Sequence, residues 1–337
     1  MSQVNLATKY RPKAFADIVG QEVTVSVLCR QIENNSLRNV YLFCGPRGCG
    51  KTSTARLLAN AVNDNMGDPI EIDAASNNGV DDMRKIKYDA QMAPIGLKYK
   101  VYIIDEAHML TTAAWNASLK LLEEPPEHVI FIFCTTNPNK LPETVLSRAQ
   151  RFDFKKVPCK AIADRLEFIC NEEAVVEYDR LALDRISYLS NGFMRDAISL
   201  FNKCFDYSNV ISLENVEKVL GLVHYDALIQ LFDNIIDNNV DNAITILNNI
   251  KANTTNSLDI LDNIVQFTIN VCIFQSTKDI FKTTLPEIYI DKLNTFTKSF
   301  VDFMNISFKF RQLIQTLNTD DLLNILIISL CNGGTNE

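Results

Sequence analysis

Hydrophobic positions change their period along the chain. Over residues 1–158, short apolar runs alternate with helical stretches. Val40–Cys44, Ile70–Asp73, Lys100–Asp105, Val129–Thr135 and Arg151–Lys155 read as strands. The third and fourth are continuously apolar rather than alternating, the pattern of strands covered on both faces. Thr52–Asn63, Val80–Gln91 and Thr112–Glu123 read as helices between them. Strands alternating with helices predict an α/β domain with a parallel sheet flanked by helices. From about residue 159 the strand signal stops. Residues 159–221 predict a small all-α unit, with Ile162, Leu166 and Ile169 at helical spacing and Ser212 as an N-cap. Residues 222–332 predict a second all-α unit, with Leu228, Leu231, Ile235, Ile244, Leu247 and Ile250 on the 3–4 spacing of amphipathic helices.

Composition narrows the class. The 337 residues are 47% hydrophobic and 22% charged, which suits a chain that buries a sizeable core and excludes collagen, disordered tails and disulfide mini-proteins. The run Leu322 to Cys331, interrupted by Asn324 and Ser329, falls short of the ~20 residues of a membrane span. The start lacks the apolar core of a signal peptide. A cytoplasmic chain without a membrane partner is the expectation. The net charge of −8 excludes a wholly basic DNA-coating protein but leaves room for a local cationic contact. Nine cysteines are scattered without paired metal-ligand spacing, as idle thiols in a reducing interior would be.

The first chemistry lies directly after the first strand. Gly45, Pro46, Arg47, Gly48, Cys49, Gly50, Lys51 and Thr52 follow the pattern G-x-x-x-x-G-K-[ST], and Ser53 continues into a helix. Glycines let backbone amides wrap phosphate oxygens, and the helix N-terminus adds partial positive charge. In this reading Lys51 reaches the β- and γ-phosphates of a nucleotide and the Thr52 hydroxyl holds Mg²⁺. Cys49 is a small filler. Asp105 and Glu106 end the apolar third strand. There Asp105 can organise the Mg²⁺ shell, while Glu106 polarises the attacking water. His108 reads as structural. These two motifs imply an ATPase with hydrolysis equipment and do not say which machine it serves.

Further segments are more specific. Residues 7–22 read ATKYRPKAFADIVGQE, residues 70–81 IEIDAASNNGVD, and residues 121–131 LLEEPPEHVIF. Then come Thr135-Thr136-Asn137-Pro138, Leu146-Ser147-Arg148, and residues 192–200, GFMRDAISL. Together they closely resemble the gamma/tau subunits of bacterial DNA polymerase III, the ATPase motors of the sliding-clamp loader in the AAA+ superfamily. The resemblance is dense from about residue 5 to 221 and rests on length and helical character beyond it. It implies an AAA+ domain over 1–158, a helical lid over 159–221 and a helical collar for oligomerisation over 222–332.

The same resemblance assigns roles. Arg11 and Val19 would neighbour the base or ribose. Thr136 would be the sensor beside the γ-phosphate. Arg148 would be an arginine finger acting on ATP held by a neighbouring subunit, although it sits here in Ser-Arg-Ala rather than Ser-Arg-Cys. Arg195 would be a second sensor from the lid. Arg84, Lys85 and Lys87 would face DNA. The family's four-cysteine zinc module is replaced by Asp64–Pro69, so no zinc is expected. The longer form's tethering extension is also expected to be missing. The implied function is the ATP- and Mg²⁺-dependent opening and loading of a sliding clamp on primer–template DNA during replication. The implied partners are other clamp-loader subunits, copies of the chain itself, the clamp and the DNA, at the cytoplasmic replication site (the host's, for a virus). A different AAA+ DNA-dependent ATPase for branch migration or restart, and an ATP-binding scaffold, are the alternatives.

Overall fold

The computed structural model describes residues 5–253, 257–280, 283, 285, 289–296, 300–313 and 319–331. The chain forms two compact units, one of residues 1–169 with 189–199, the other of residues 170–188 with 200–337.

The first unit is built on five strands: β1 Val40–Cys44, β2 Ile70–Asp73, β3 Lys100–Asp105, β4 Val129–Thr135 and β5 Gln150–Asp153. Their order is β2-β3-β4-β1-β5 and every pairing is parallel. The expected parallel sheet is therefore present. Four strands start and stop where their apolar runs do. The fifth pairs one residue earlier and ends two residues sooner than its run suggests, because its ladder with β1 stops at Cys44–Asp153.

β1 and β4 are buried along their whole length, as central parallel strands covered on both faces must be. Alternate residues feed two cores. Leu42, Tyr102, Ile104, Phe131 and Phe133 pack against Met83, Ile86 and Trp115 of the helices Val80–Ala90 and Thr112–Glu123. Phe43, Val101, Ile103, Ile130 and Ile132 face Leu28 and Leu58 of the helices Glu22–Glu33 and Lys51–Val62. The edge strand β2 is largely exposed. The polar ends of β1, β3 and β4 meet at the carboxyl edge of the sheet, where open α/β sheets hold their ligands.

Among the described residues, the second unit is helical apart from one feature absent from the sequence reading. Glu177–Tyr178 and Val210–Ile211 form a two-residue parallel ladder, too short to leave a periodic signal. Phe232, fully buried, stands at the centre of its core, with ring centroids of Phe267 and Phe300 at 5.0 and 5.2 Å. The helix Ser257–Thr277, by length and composition alone, is long and apolar enough to cross a bilayer. The run-length reading missed it because Asp259, Asp262 and Asn263 interrupt the run. Half of its most apolar window is buried inside the protein, where Ile260, Leu261, Ile264 and Phe267 join the helical core.

Ser212 caps the helix Leu213–Leu220 as expected, accepting from the Asn215 amide at 3.2 Å, and Gly221 ends it at φ +66°. The next helix, Tyr225–Ile236, turns away by 80°. A buried polar group spans this corner. Glu217 lies 2.6 Å from His224 Nδ1. Arg185 donates to the Tyr225 hydroxyl and, at 3.3 Å, to Asn263 Oδ1, with its guanidinium 4.4 Å above the Tyr225 ring. Burial pushes the Glu217 carboxyl above its ordinary pKa, against the pull of His224 and Arg185.

Candidate functional site

The phosphate loop leaves β1 through a tight exit. Gly45 has φ +150°, and a Cβ there would overlap the Phe154 carbonyl oxygen and come within 2.9 Å of the Phe154 Cβ. Only glycine fits this passage. Gly48 and Gly50 also take positive φ, +74° and +100°, a conformation with little steric penalty for glycine alone. The helix Lys51–Val62 begins at once, its Gly50 N-cap contributing no side chain, so its first amides face the loop. Lys51 is 6% exposed and donates to the carbonyls of Gly45 and Pro46, each at 2.9 Å. Cys49 is buried and donates to the Pro46 carbonyl at 2.8 Å. Burial raises its thiol pKa.

The end of β3 completes the centre. Thr52 Oγ1 donates to Asp105 Oδ2 at 2.7 Å. The other Asp105 oxygen accepts from the Glu106 amide at 2.9 Å. Glu106 sits in the left-handed region, φ +46°, ψ +43°, which costs a non-glycine residue about 1–2 kcal/mol. Strain of this kind collects where a side chain must be aimed. Thr136 donates to Glu106 Oε2 at 3.4 Å. His108 Nδ1 lies 3.4 Å from the same oxygen and 3.2 Å from Thr135 Oγ1. The Thr135 carbonyl accepts from the Gly45 amide at 3.1 Å, so the end of β4 braces both the phosphate loop and the carboxylate. His108 and Thr135 thus join the site, a placement that needs the β3–β4 pairing to be known.

Loop residues 47–53, Asp105 and Glu106 open into one cleft of about 740 Å³, whereas Gly45, Pro46, His108, Thr135 and Thr136 stand behind its lining. Arg11, Val19, Arg47, Glu106 and Arg195 line it, together with loop residues 48–53 and Asp105. Residues of the strap 5–19 also line it, as do Glu71 and Asp73 of β2. Arg195 lies in the first turn of the helix Met194–Tyr207, its Cβ 3.5 Å from where a Cβ on Gly48 would stand. Asp17, on the strap, is held below the ordinary carboxylate pKa. Burial acts against this, but the Lys13 and Ala14 amides and the Arg165 charge outweigh it. The amide-lined loop, the buried ammonium and the Thr52–Asp105 pair form a donor set suited to a nucleotide phosphate chain and a hard divalent cation.

Other expected residues stand elsewhere. Arg148 does not line the cleft; it is exposed and donates to the Thr144 carbonyl at 2.7 Å and to Glu123 at 2.9 Å. Arg84 and Lys85 lie exposed on the helix Val80–Ala90, paired with Asp81 at 2.9 Å and Asp82 at 3.5 Å; Lys87 is half-buried. Among the described residues, no cluster of three or more His, Cys, Asp or Glu is assembled for a metal ion.

Comparison with known proteins follows the same lines. Residues 65–158 match the family described as DNA polymerase III, delta subunit, and residues 211–310 match DNA polymerase III subunits gamma and tau domain III. The DNA polymerase III subunit tau of Bacillus subtilis is 36% identical over 314 residues, covering 87% of this chain and 55% of that protein. The Escherichia coli tau subunit is 38% identical over 274 residues, covering 75% of this chain and 42% of its own length. The chain thus spans about half the length of these relatives. In fold, it is similar to the Thermotoga maritima RuvB Holliday junction branch migration motor, with a TM-score of 0.53 over 67% of this chain and 79% of that one, at 21% identity. That likeness is one of fold alone. In sequence, over most of its length, this chain is gamma/tau-like, resembling the DNA polymerase III gamma and tau subunits.

Proposed function

We propose that this chain is the ATPase motor subunit of a DNA sliding-clamp loader. The observation that carries the reading is the Thr52–Asp105 hydrogen bond of 2.7 Å beside the phosphate loop. It unites two residues, 53 positions apart in the chain, that hold Mg²⁺ in phosphoryl-transfer sites. With Lys51, Glu106 and a gamma/tau-like sequence around them, it favours ATP hydrolysis coupled to clamp loading.

In this mechanism the loop amides and Lys51 bind the phosphate chain. Lys51 exchanges its bonds to the Gly45 and Pro46 carbonyls for phosphate oxygens. Thr52 and Asp105 would hold the magnesium ion, which when bound neutralises charge on the transferring phosphoryl group. Glu106 orients the attacking water, and Thr136 and His108 hold its carboxylate. Arg11 and Val19 flank the base, and Arg195 reports on the γ-phosphate. Arg148 serves a neighbouring subunit's site, in keeping with its exposure and its position off its own cleft. Residues 159–221 act as the lid and 222–332 as the collar that joins copies and partner subunits at the replication site in the cytoplasm. Arg84, Lys85 and Lys87 contact the phosphates of primer–template DNA, and no zinc takes part. ATP binding favours the assembly that holds the clamp open, and hydrolysis releases it, the coupling being the difference in affinity between the two states.

The test is ATP turnover by the chain and its Lys51→Ala variant, with and without primer–template DNA, a cognate clamp and partner subunits. Stimulation by DNA and clamp together, lost in Lys51→Ala, supports the motor. Stimulation by DNA with indifference to the clamp favours a branch-migration or restart ATPase. Silence with every partner present favours an ATP-binding scaffold.

A further inference from the structure

Gln21 sits at the N-cap of the helix Glu22–Glu33, yet its side chain makes no capping bond. It is 4% exposed and turns instead to a segment 134 residues away. Its Nε2 donates to the Lys155 carbonyl at 2.7 Å, and its Oε1 accepts from the Lys155 amide at 3.1 Å. One carboxamide thus pairs both backbone groups of a single residue, as a neighbouring strand would. The remaining Nε2 hydrogen points to the Cys49 carbonyl at 3.5 Å, inside the phosphate loop.

The residues around this contact all bear on the cleft. Phe154, next to Lys155, backs Gly45 and donates its amide to the Cys44 carbonyl at 2.7 Å. Two residues beyond Lys155, the Val157 amide donates to the Gly192 carbonyl at 3.0 Å, anchoring the segment that leads to Arg195. On the other side, Gln21 lies two residues beyond the strap that carries Arg11 and Val19. The strap, the phosphate loop and the Arg195 segment therefore meet at the β5 exit; the Gln21 amide bonds across its strap and loop side, and Lys156 Nζ donates to Asn191 Oδ1 at 2.7 Å on the Arg195 side.

We propose that Gln21 is a positioning residue for the nucleotide site, fixing the strap against the phosphate loop so that base and phosphates are bound by one preorganised part. This rests on the nucleotide-site reading above. The geometry asks for a group that donates and accepts at once. Alanine does neither, and an ionised glutamate only accepts, setting its charge against two carbonyl oxygens. A protonated glutamate can again donate to the Lys155 carbonyl while accepting from its amide. Its pKa is pushed upward by burial and by those carbonyls.

The experiment titrates a fluorescent methylanthraniloyl-ATP, with magnesium, into the full chain and its Gln21→Ala and Gln21→Glu variants. Trp115 fluorescence establishes that each is folded at the assay temperature. Gln21→Ala should bind about tenfold more weakly than the parent, as loss of buried hydrogen bonds to a preorganised site predicts. Relative to the parent, Gln21→Glu should be about tenfold weaker near pH ~8.5 and recover to within about threefold near pH ~6, as its carboxyl takes up a proton. Folded variants that bind within about twofold of a binding parent, or a Gln21→Glu defect equal at both pH values, would overturn the proposal. A parent that fails to bind removes the nucleotide site itself, and the proposal with it.

Discussion

Replacing Gly45 by alanine tests whether the loop's exit is as closed as its geometry indicates. The backbone there has φ +150°, and holding a residue with a Cβ in a sparsely populated conformation costs about 1–3 kcal/mol. The new methyl would also meet the Phe154 carbonyl oxygen and its Cβ. Neither can swing aside as a flexible chain end would, because the Phe154 amide is bonded to Cys44 at 2.7 Å and its ring packs 5.2 Å from that of Phe43. Overpacking of this kind adds about 1–3 kcal/mol. Together they predict a loss of about 2–6 kcal/mol in the first unit. For a unit of this size that lowers the midpoint by about 5–20 °C. The chain has one tryptophan, Trp115, buried against Phe133 in this unit, so its fluorescence during thermal unfolding reads the change. Nucleotide binding should fall with it, since relief of the clash must shift the loop. Gly45→Ala with an unchanged Trp115 midpoint and parental ATP affinity would refute the reasoning.

Three further outcomes follow from the geometry. Arg148→Ala should leave ATP affinity of the isolated chain within about twofold, because Arg148 is off its own cleft, but lower turnover of the assembled loader by about 10³-fold if it acts across subunits; binding and turnover measured side by side check this. Asp89 is held below the ordinary carboxylate pKa, first by the Tyr102 hydroxyl at 2.6 Å and then by Lys100 at 3.0 Å. Its contribution is present above the unfolded value of about 3.9 and lost as pH falls through the lower folded value, so Asp89→Asn should flatten the acid limb of the Trp115 stability curve. Glu217 has the opposite sign. Its pKa is raised chiefly by burial, so its contribution is present below the unfolded value of about 4.3 and lost as pH rises. Denaturation followed by far-ultraviolet circular dichroism should show the stability of the parent relative to Glu217→Gln falling as pH rises from about 4 to 7.

Much of this architecture is legible in the chain because its signals are local. The runs Lys100–Asp105 and Val129–Thr135 are apolar throughout, and parallel strands buried on both faces leave that mark. The phosphate loop is eight contiguous residues, and Asp105 with Glu106 directly follows an apolar run. What the reading missed depends on pairing over distance. Nothing near Gln21 announces Lys155. Thr135 and His108 meet only because β3 and β4 are neighbours, and the last two residues of the expected fifth strand drop out because β1 has no more partners to offer. The ladder of Glu177–Tyr178 with Val210–Ile211 is shorter than any period. In the helix Ser257–Thr277, acidic and amide residues near its start mask how apolar its buried face is.

The corner at Gly221 bears on how such chains exchange their parts. A boundary placed there looks clean, since a left-handed glycine ends one helix and the next leaves at 80°. The side chains do not respect it. Glu217 and Arg185, before the glycine, find His224, Tyr225 and Asn263 after it. A foreign C-terminal segment grafted at residue 222 would strand a buried acid and a buried base unless it brought matching groups, and an uncompensated buried charge is strongly destabilising. Recombination at this point is therefore selective. A chimaera joined at residue 222 should therefore keep its stability only where the new tail supplies partners for Glu217 and Arg185.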